Sequence, residues 1–185
     1  AAFALSAAGG LSALRTLATR EGLAARLAHI GWVWCWSLAA ALALQQYARD
    51  ASLAAGWIAG ATWLPLLLAW ALALLRPAWI ASPLRARFDE WRGTLLLSQA
   101  VLAGLVFMLL LSHAGATTPP IAFVPLLNPV ELLQLAAIAC AMRWLLDRDA
   151  PAAPAASRPA LFSIAGFAFI TAATLRAVHQ LGGAP

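Results

Sequence analysis

The chain has 185 residues, of which 63% are hydrophobic and only 10% charged, whereas soluble domains are roughly half apolar and a quarter charged. A soluble core of this length cannot hide so much apolar surface, so the composition excludes an ordinary water-soluble domain and points to lipid as the solvent. The net charge of +5 comes entirely from arginine, and the twelve arginines are dispersed between apolar runs; with no basic stripe, nucleic-acid binding is not expected.

The opening stretch, 1–17, reads as the last part of a membrane span. The chain has no initiator methionine, and no charged segment leads into a short apolar core as in a signal peptide. It reads as an internal fragment of a longer protein, and its wealth of Ala, Leu and Arg suggests a GC-rich bacterial genome. Five further stretches, 29–47, 52–75, 94–112, 129–146 and 161–178, are long and apolar enough, or nearly so, to cross the hydrocarbon core. Backbone polar groups in lipid need internal partners, so each is expected to be a helix. The expected fold is an all-α, polytopic transmembrane bundle: one region over 1–185, with five full spans and a partial N-terminal one.

The connections are short and polar. Arg15, Arg20 and Arg26 lie in or beside the first, over 18–28; Arg76, Arg85, Arg87 and Arg92 belong to the third, over 76–93; Arg143, Arg148 and Arg158 surround the fifth, over 147–160. The second connection contributes only Arg49, the fourth none, and the C-terminal end only Arg176. Cytoplasmic loops are enriched in basic residues, so the odd connections are expected inside a bacterial inner membrane. The loop 113–128 and the C-terminal end are then periplasmic.

Tryptophans at 32, 34, 36, 79, 91 and 144 fall near the expected span ends, where aromatic belts sit. Trp57, Trp63 and Trp70 run down the second span as helix packing or as the lining of an apolar groove, and Pro65 is expected to kink it. Gly56 and Gly60 form a small-xxx-small pair that permits close helix approach. The segment 79–91 reads either as a short interfacial helix or as a solvated loop whose arginines set orientation. The stretch Pro151-Ala-Ala-Pro154 is a flexible linker.

Asn128-Pro129-Val130-Glu131 is the clearest local signal. Asn is a favoured N-cap, Pro suits the first helical position, and Glu three residues after the cap completes a capping box. Beyond starting a helix, Glu131 is a candidate outward-facing acid or base, or a cation ligand. Arg176 and His179 are three residues apart and share a helix face. Near the outer interface, Arg176 is expected to snorkel as an anchor; the sharper reading is an anion site in which His179 titrates near neutral pH. Thus Glu131 and His179 are the catalytic candidates, and Arg176, Asn128 and His113 the binding candidates, all on the outward side. His29 lies at the opposite end and is expected at the interface. Cys35 and Cys140 lack metal-ligand spacing and read as small apolar residues. No metal site or cofactor is expected, since phosphate-loop, zinc-protease and serine-hydrolase signatures are missing.

The stretch Phe123-Val-Pro-Leu-Leu-Asn-Pro-Val-Glu-Leu-Leu-Gln134, with Arg143-Trp144 closing its helix, and the later Thr174-Leu-Arg-Ala-Val-His-Gln-Leu-Gly-Gly183 resemble a large family of uncharacterised, multi-spanning bacterial membrane proteins. Glu131 stands where that family's pattern reads Asp, and Gln180 where a second His often follows. The resemblance implies membrane location and fragment status, with membrane lipids and the parent chain's remaining helices as partners, but no reaction. Three functions follow as expectations: a structural or envelope-related membrane domain; an envelope enzyme acting on a lipid-linked or glycan substrate, or binding another anionic ligand, at the outward polar group; and a transporter. The enzyme requires Glu131 and His179 in one outward cleft, and the transporter a polar midplane cavity near Pro65 or Gln99.

Overall fold

The computed structural model describes residues 9–10, 12, 23–82, 88–112, 124–146 and 157–181. Within them the chain is helical and contains no strand. We number the helices α1 (Leu23–Asp50), α2 (Ala55–Leu75), α3 (Pro77–Ile80), α4 (Phe88–Leu111), α5 (Pro129–Leu145) and α6 (Arg158–Leu181). Four of them, α1, α2, α4 and α6, are long and apolar enough to cross a membrane. At 17 residues, α5 measures about 25 Å, at the short end of what spans a bilayer. Most of the expected partial span, 1–17, lies outside the described residues, as do Arg85, Arg87, His113, Arg148 and the Pro-Ala-Ala-Pro linker.

Two helices start about six residues before their apolar windows, α1 at Leu23 rather than 29 and α4 at Phe88 rather than 94. A helix does not end where hydropathy does, because its backbone bonds hold equally well in the headgroup layer. Asp89 and Glu90 occupy the first turn of α4, where carboxylates favour the positive end of the helix dipole. Of the expected segment 79–91, residues 79–80 belong to the single turn α3 and 88–91 to α4, while 83–87 lie outside the described residues.

The α1–α2 turn has a defined chemistry. Leu53 N–H donates to the Ala48 carbonyl and Ser52 N–H to that of Arg49, both at 2.9 Å. These are the two bonds of a Schellman motif, which satisfies the last carbonyls of α1. Ser52 takes the left-handed position with φ of 53°, usually glycine's. That turn delays α2 to Ala55, and α2 then runs unbroken through Pro65.

Contacts fix which helix ends lie together. His29, near the start of α1, meets the carbonyl of Ile80 just after α2, and Trp91 near the start of α4. Trp70 of α2 and Trp144 of α5 stack edge to face with centroids 6.4 Å apart. These residues mark one end of the bundle, with the starts of α1 and α4 and the finishes of α2 and α5. At the other end a Cβ on Gly60 in α2 would lie 3.1 Å from Pro129 Cβ, at the start of α5. Leu110, near the finish of α4, and Arg176, near the finish of α6, join them there. The five long helices thus alternate in direction. Arg26, Arg76, Arg92, Arg143 and Arg158 collect at the first end, against Arg49 and Arg176 at the second.

The larger core cluster is at the first end and includes Val33, Ala69, Trp70, Ala73, Leu74, Phe88, Trp91, Leu95 and Leu96. A smaller one, Leu110, Val130 and Leu133, closes the second end. Elsewhere the outer surface is apolar: Leu97, Val101, Leu105 and Met108 on α4 and Ile164, Phe167, Ile170 and Val178 on α6 are all exposed. Such a surface suits lipid.

Candidate functional site

The start of α5 is built from its sequence. Asn128 Oδ1 accepts from Glu131 N–H at 3.0 Å, the N-cap bond that the motif predicts. The reciprocal half of a capping box is replaced. The Glu131 carboxylate accepts from Leu126 N–H instead, at Oε2, and so holds Leu126 with φ of 69°. Glu131 is completely buried.

Arg176 does not snorkel. It is 4% exposed and turns inward to two neighbouring helices. Its Nη1 lies 3.6 Å from Glu131 Oε1 and donates to Gln134 Oε1 at 3.0 Å. Its Nη2 donates to the carbonyl of Leu110, in the last turn of α4, where helices leave carbonyls unsatisfied and cations are favoured. The expected interfacial anchor is thus a buried clamp on α4, α5 and α6. Snorkelling loses because buried acceptors on the neighbouring helices already offer the guanidinium complementary partners.

Of the described outward candidates, Asn128, Glu131 and Arg176 meet, but His179 does not share a cleft with Glu131. Asn128 and Glu131 are buried, whereas His179 is exposed on α6. His179 and Arg176 border the same shallow groove beside Leu111, Ser112 and Leu175, and Glu131 does not line it. His113 lies outside the described residues. Among the described residues no group of His, Cys, Asp and Glu is arranged to hold a metal ion. Gln99 does line an internal cavity, of about 30 Å³, with Gln134, Trp34, Trp63 and otherwise apolar side chains. That is room for a water or two, not a polar passage.

Three buried polar residues escaped the sequence reading of sites. Gln134 is one helical turn beyond Glu131, so the i, i+3 spacing on an apolar helix already placed them on one face. Arg92 is buried and its Nε donates to the Ala73 carbonyl in the last turn of α2 at 3.3 Å. It caps α2 from α4 much as Arg176 caps α4 from α6. His29 is buried, at 1% exposure. Its Nε2 faces the Ile80 carbonyl at 2.9 Å, so that nitrogen carries the proton. Nδ1 is then free to accept from Trp91 Nε1–H at 3.3 Å. Both ring nitrogens are committed to a neutral imidazole holding α1, α4 and the segment after α2 together.

Comparison of the chain with protein-family models, with curated proteins and with solved structures finds no match in any of the three.

Proposed function

We propose that this chain is the membrane-embedded, structural part of a polytopic bacterial inner-membrane protein, serving the envelope rather than performing a reaction itself. In this reading α5 is a short fifth span, and the arginine-rich end of the bundle is cytoplasmic by the positive-inside tendency. Kinship with the multi-spanning family that the Asn-Pro-Val-Glu and Leu-Arg-Ala-Val-His stretches resemble belongs to the same proposal.

One observation carries the structural role. Among the described residues, Glu131 and Arg176 are turned towards each other and towards backbone, while His179 is exposed beside Arg176 and away from Glu131. An acid–base pair must reach one substrate. Here the charges instead tie helices together.

The test compares Arg176→Ala and His179→Ala in the parent protein, scoring detergent survival of the cells and membrane abundance by blot. The structural role predicts normal survival and abundance for His179→Ala, and for Arg176→Ala a loss of survival in step with a loss of protein. Normal abundance of either variant with survival as poor as the deletion strain would overturn it in favour of an outward binding or catalytic site. Cysteine-accessibility labelling at 50–53 should report the periplasmic side; labelling only from the cytoplasm overturns the orientation.

A further inference from the structure

A second cavity, of about 220 Å³, opens between α4, α5 and α6. Its walls are Ala100, Ala103, Gly104 and Phe107 of α4, facing Ala137 and Ala141 of α5 and Ala165 of α6, with Trp70 and Trp144 at one extremity. The small residues leave a slot. Ala100 and Phe107 are seven residues apart, so it runs about 10 Å along the helix axis. A Cβ at Gly104 would meet nothing within 4 Å; the slot is not filled by a neighbouring side chain.

The tryptophan extremity is polar in one sense only. The indole N–H groups of Trp70 and Trp144 are buried and have no acceptor among the described residues. An indole can donate but not accept, and a buried donor without a partner costs about 1–3 kcal/mol. Two such donors on residues that line an apolar slot call for a molecule that is apolar along its length and carries an acceptor oxygen. Both residues stand near the finishes of their helices, α2 and α5, the depth of the interfacial belt. At that depth a lipid has its ester carbonyls.

A third group extends the pattern toward the headgroup. Arg158 opens α6 at the same end of the bundle. It precedes Leu161 and Phe162, which also line the slot, by three and four residues and therefore shares their face. Its Nε is buried without a partner among the described residues.

From these placements we infer that the α4–α5–α6 slot is a binding site for an anionic phospholipid of the leaflet at the arginine-rich end. An acyl chain fills the space beside Gly104, an ester carbonyl accepts from the indole N–H groups, and the phosphate faces Arg158. The site rests on the membrane-embedded reading and goes beyond the structural role.

The experiment is native mass spectrometry of the chain in mild detergent, titrated with phosphatidylglycerol or phosphatidylcholine of identical acyl chains. The wild type should retain phosphatidylglycerol about fivefold better, the effect of one basic residue near a lipid headgroup. Arg158→Gln should erase that preference while leaving phosphatidylcholine binding intact. Gly104→Leu, which fills the slot without a clash, should lower retention of both lipids, and Trp144→Phe, which removes only the N–H from the ring, should weaken both by a few-fold. No preference in the wild type, or unchanged retention in both Gly104→Leu and Trp144→Phe, overturns the site. Alkaline extraction of the source membranes separates the two readings. Release of the wild-type chain defeats membrane embedding itself, whereas a chain that stays in the pellet yet binds lipid without preference defeats only the lipid site.

Discussion

Arg176 and Glu131 form an ion pair 3.6 Å apart whose side chains are 3% and 0% exposed. The two residues lie on different helices, α6 and α5, and each also binds backbone: Arg176 the Leu110 carbonyl and Glu131 the Leu126 N–H. Breaking such a pair from one side leaves a buried charge without compensation, at about 3–5 kcal/mol. Arg176→Met or Glu131→Leu alone is therefore expected to lower unfolding stability in detergent by that much. The double variant removes both charges together and should recover most of the loss. Recovery stays incomplete because Leu110 O and Leu126 N–H lose their partners either way. Additive losses in the double variant would mean that the two charges do not interact.

The turn after α1 offers the opposite kind of change. Ser52 sits at φ of 53° in the Schellman position, where a side chain costs about 1 kcal/mol and glycine pays no such cost. Glycine loosens the unfolded chain as well, so Ser52→Gly is expected to stabilise by about 0.5–1 kcal/mol net. A rise in the thermal midpoint in detergent checks it, and a fall would show that the Ser52 side chain is needed by the turn.

These two sites differ in how far the sequence announced them. Asn128-Pro129-Val130-Glu131 gave its helix start outright, because capping is local and involves residues only three apart. The helical runs were largely legible from apolar length, though α1 and α4 reach past their apolar windows, and the arginines among the described residues divide between the two ends of the bundle as the connections do. The partners of Glu131 were not legible. Arg176 is 45 positions away, and nothing in its apolar surroundings distinguishes a snorkelling arginine from one turned inward. The same holds for His29, whose two nitrogens meet Ile80 and Trp91 at sequence separations of 51 and 62. Long-range packing decides burial, and a single sequence carries only its periodicity.

His29 should behave as a structural member of the core. Replacing it with Phe keeps an aromatic ring against Phe88 and Trp91, which now contact it edge to face, but leaves Trp91 N–H and the Ile80 carbonyl without their bonds. Each buried group so stranded costs about 1–3 kcal/mol. His29→Phe is expected to lose about 2–4 kcal/mol of unfolding stability, with a shift in tryptophan emission from Trp91. Wild-type stability in that variant would show that ring packing, not hydrogen bonding, holds this end.

Gln99 makes the reverse prediction. It is 6% exposed and its Oε1 has no donor among the described residues, in a cavity of about 30 Å³ walled chiefly by apolar side chains. An unsatisfied buried amide opposes stability, so Gln99→Leu should be neutral or stabilising by up to about 2 kcal/mol. A loss of more than about 1 kcal/mol would instead mean that water bound in the cavity satisfies the amide and links it to Gln134.

Gly60 and Gly104 allow a paired test of helix packing. Both are helical glycines in apolar spans, and composition does not tell them apart. The structure does: a methyl at Gly60 would press on Pro129 Cβ at 3.1 Å, whereas one at Gly104 meets nothing within 4 Å. Gly104→Ala should gain the helix preference of alanine, about 0.5–1 kcal/mol. Gly60→Ala gains the same preference but must push α2 from α5 by a few tenths of an ångström, so the two effects roughly cancel. Gly60→Val adds bulk that this contact cannot absorb and should cost about 1–3 kcal/mol. Unfolding of the three variants side by side in one detergent measures the contrast. Equal effects of alanine at both positions, with Gly60→Val tolerated, would show that α2 and α5 do not approach as closely as the Gly60–Pro129 contact requires.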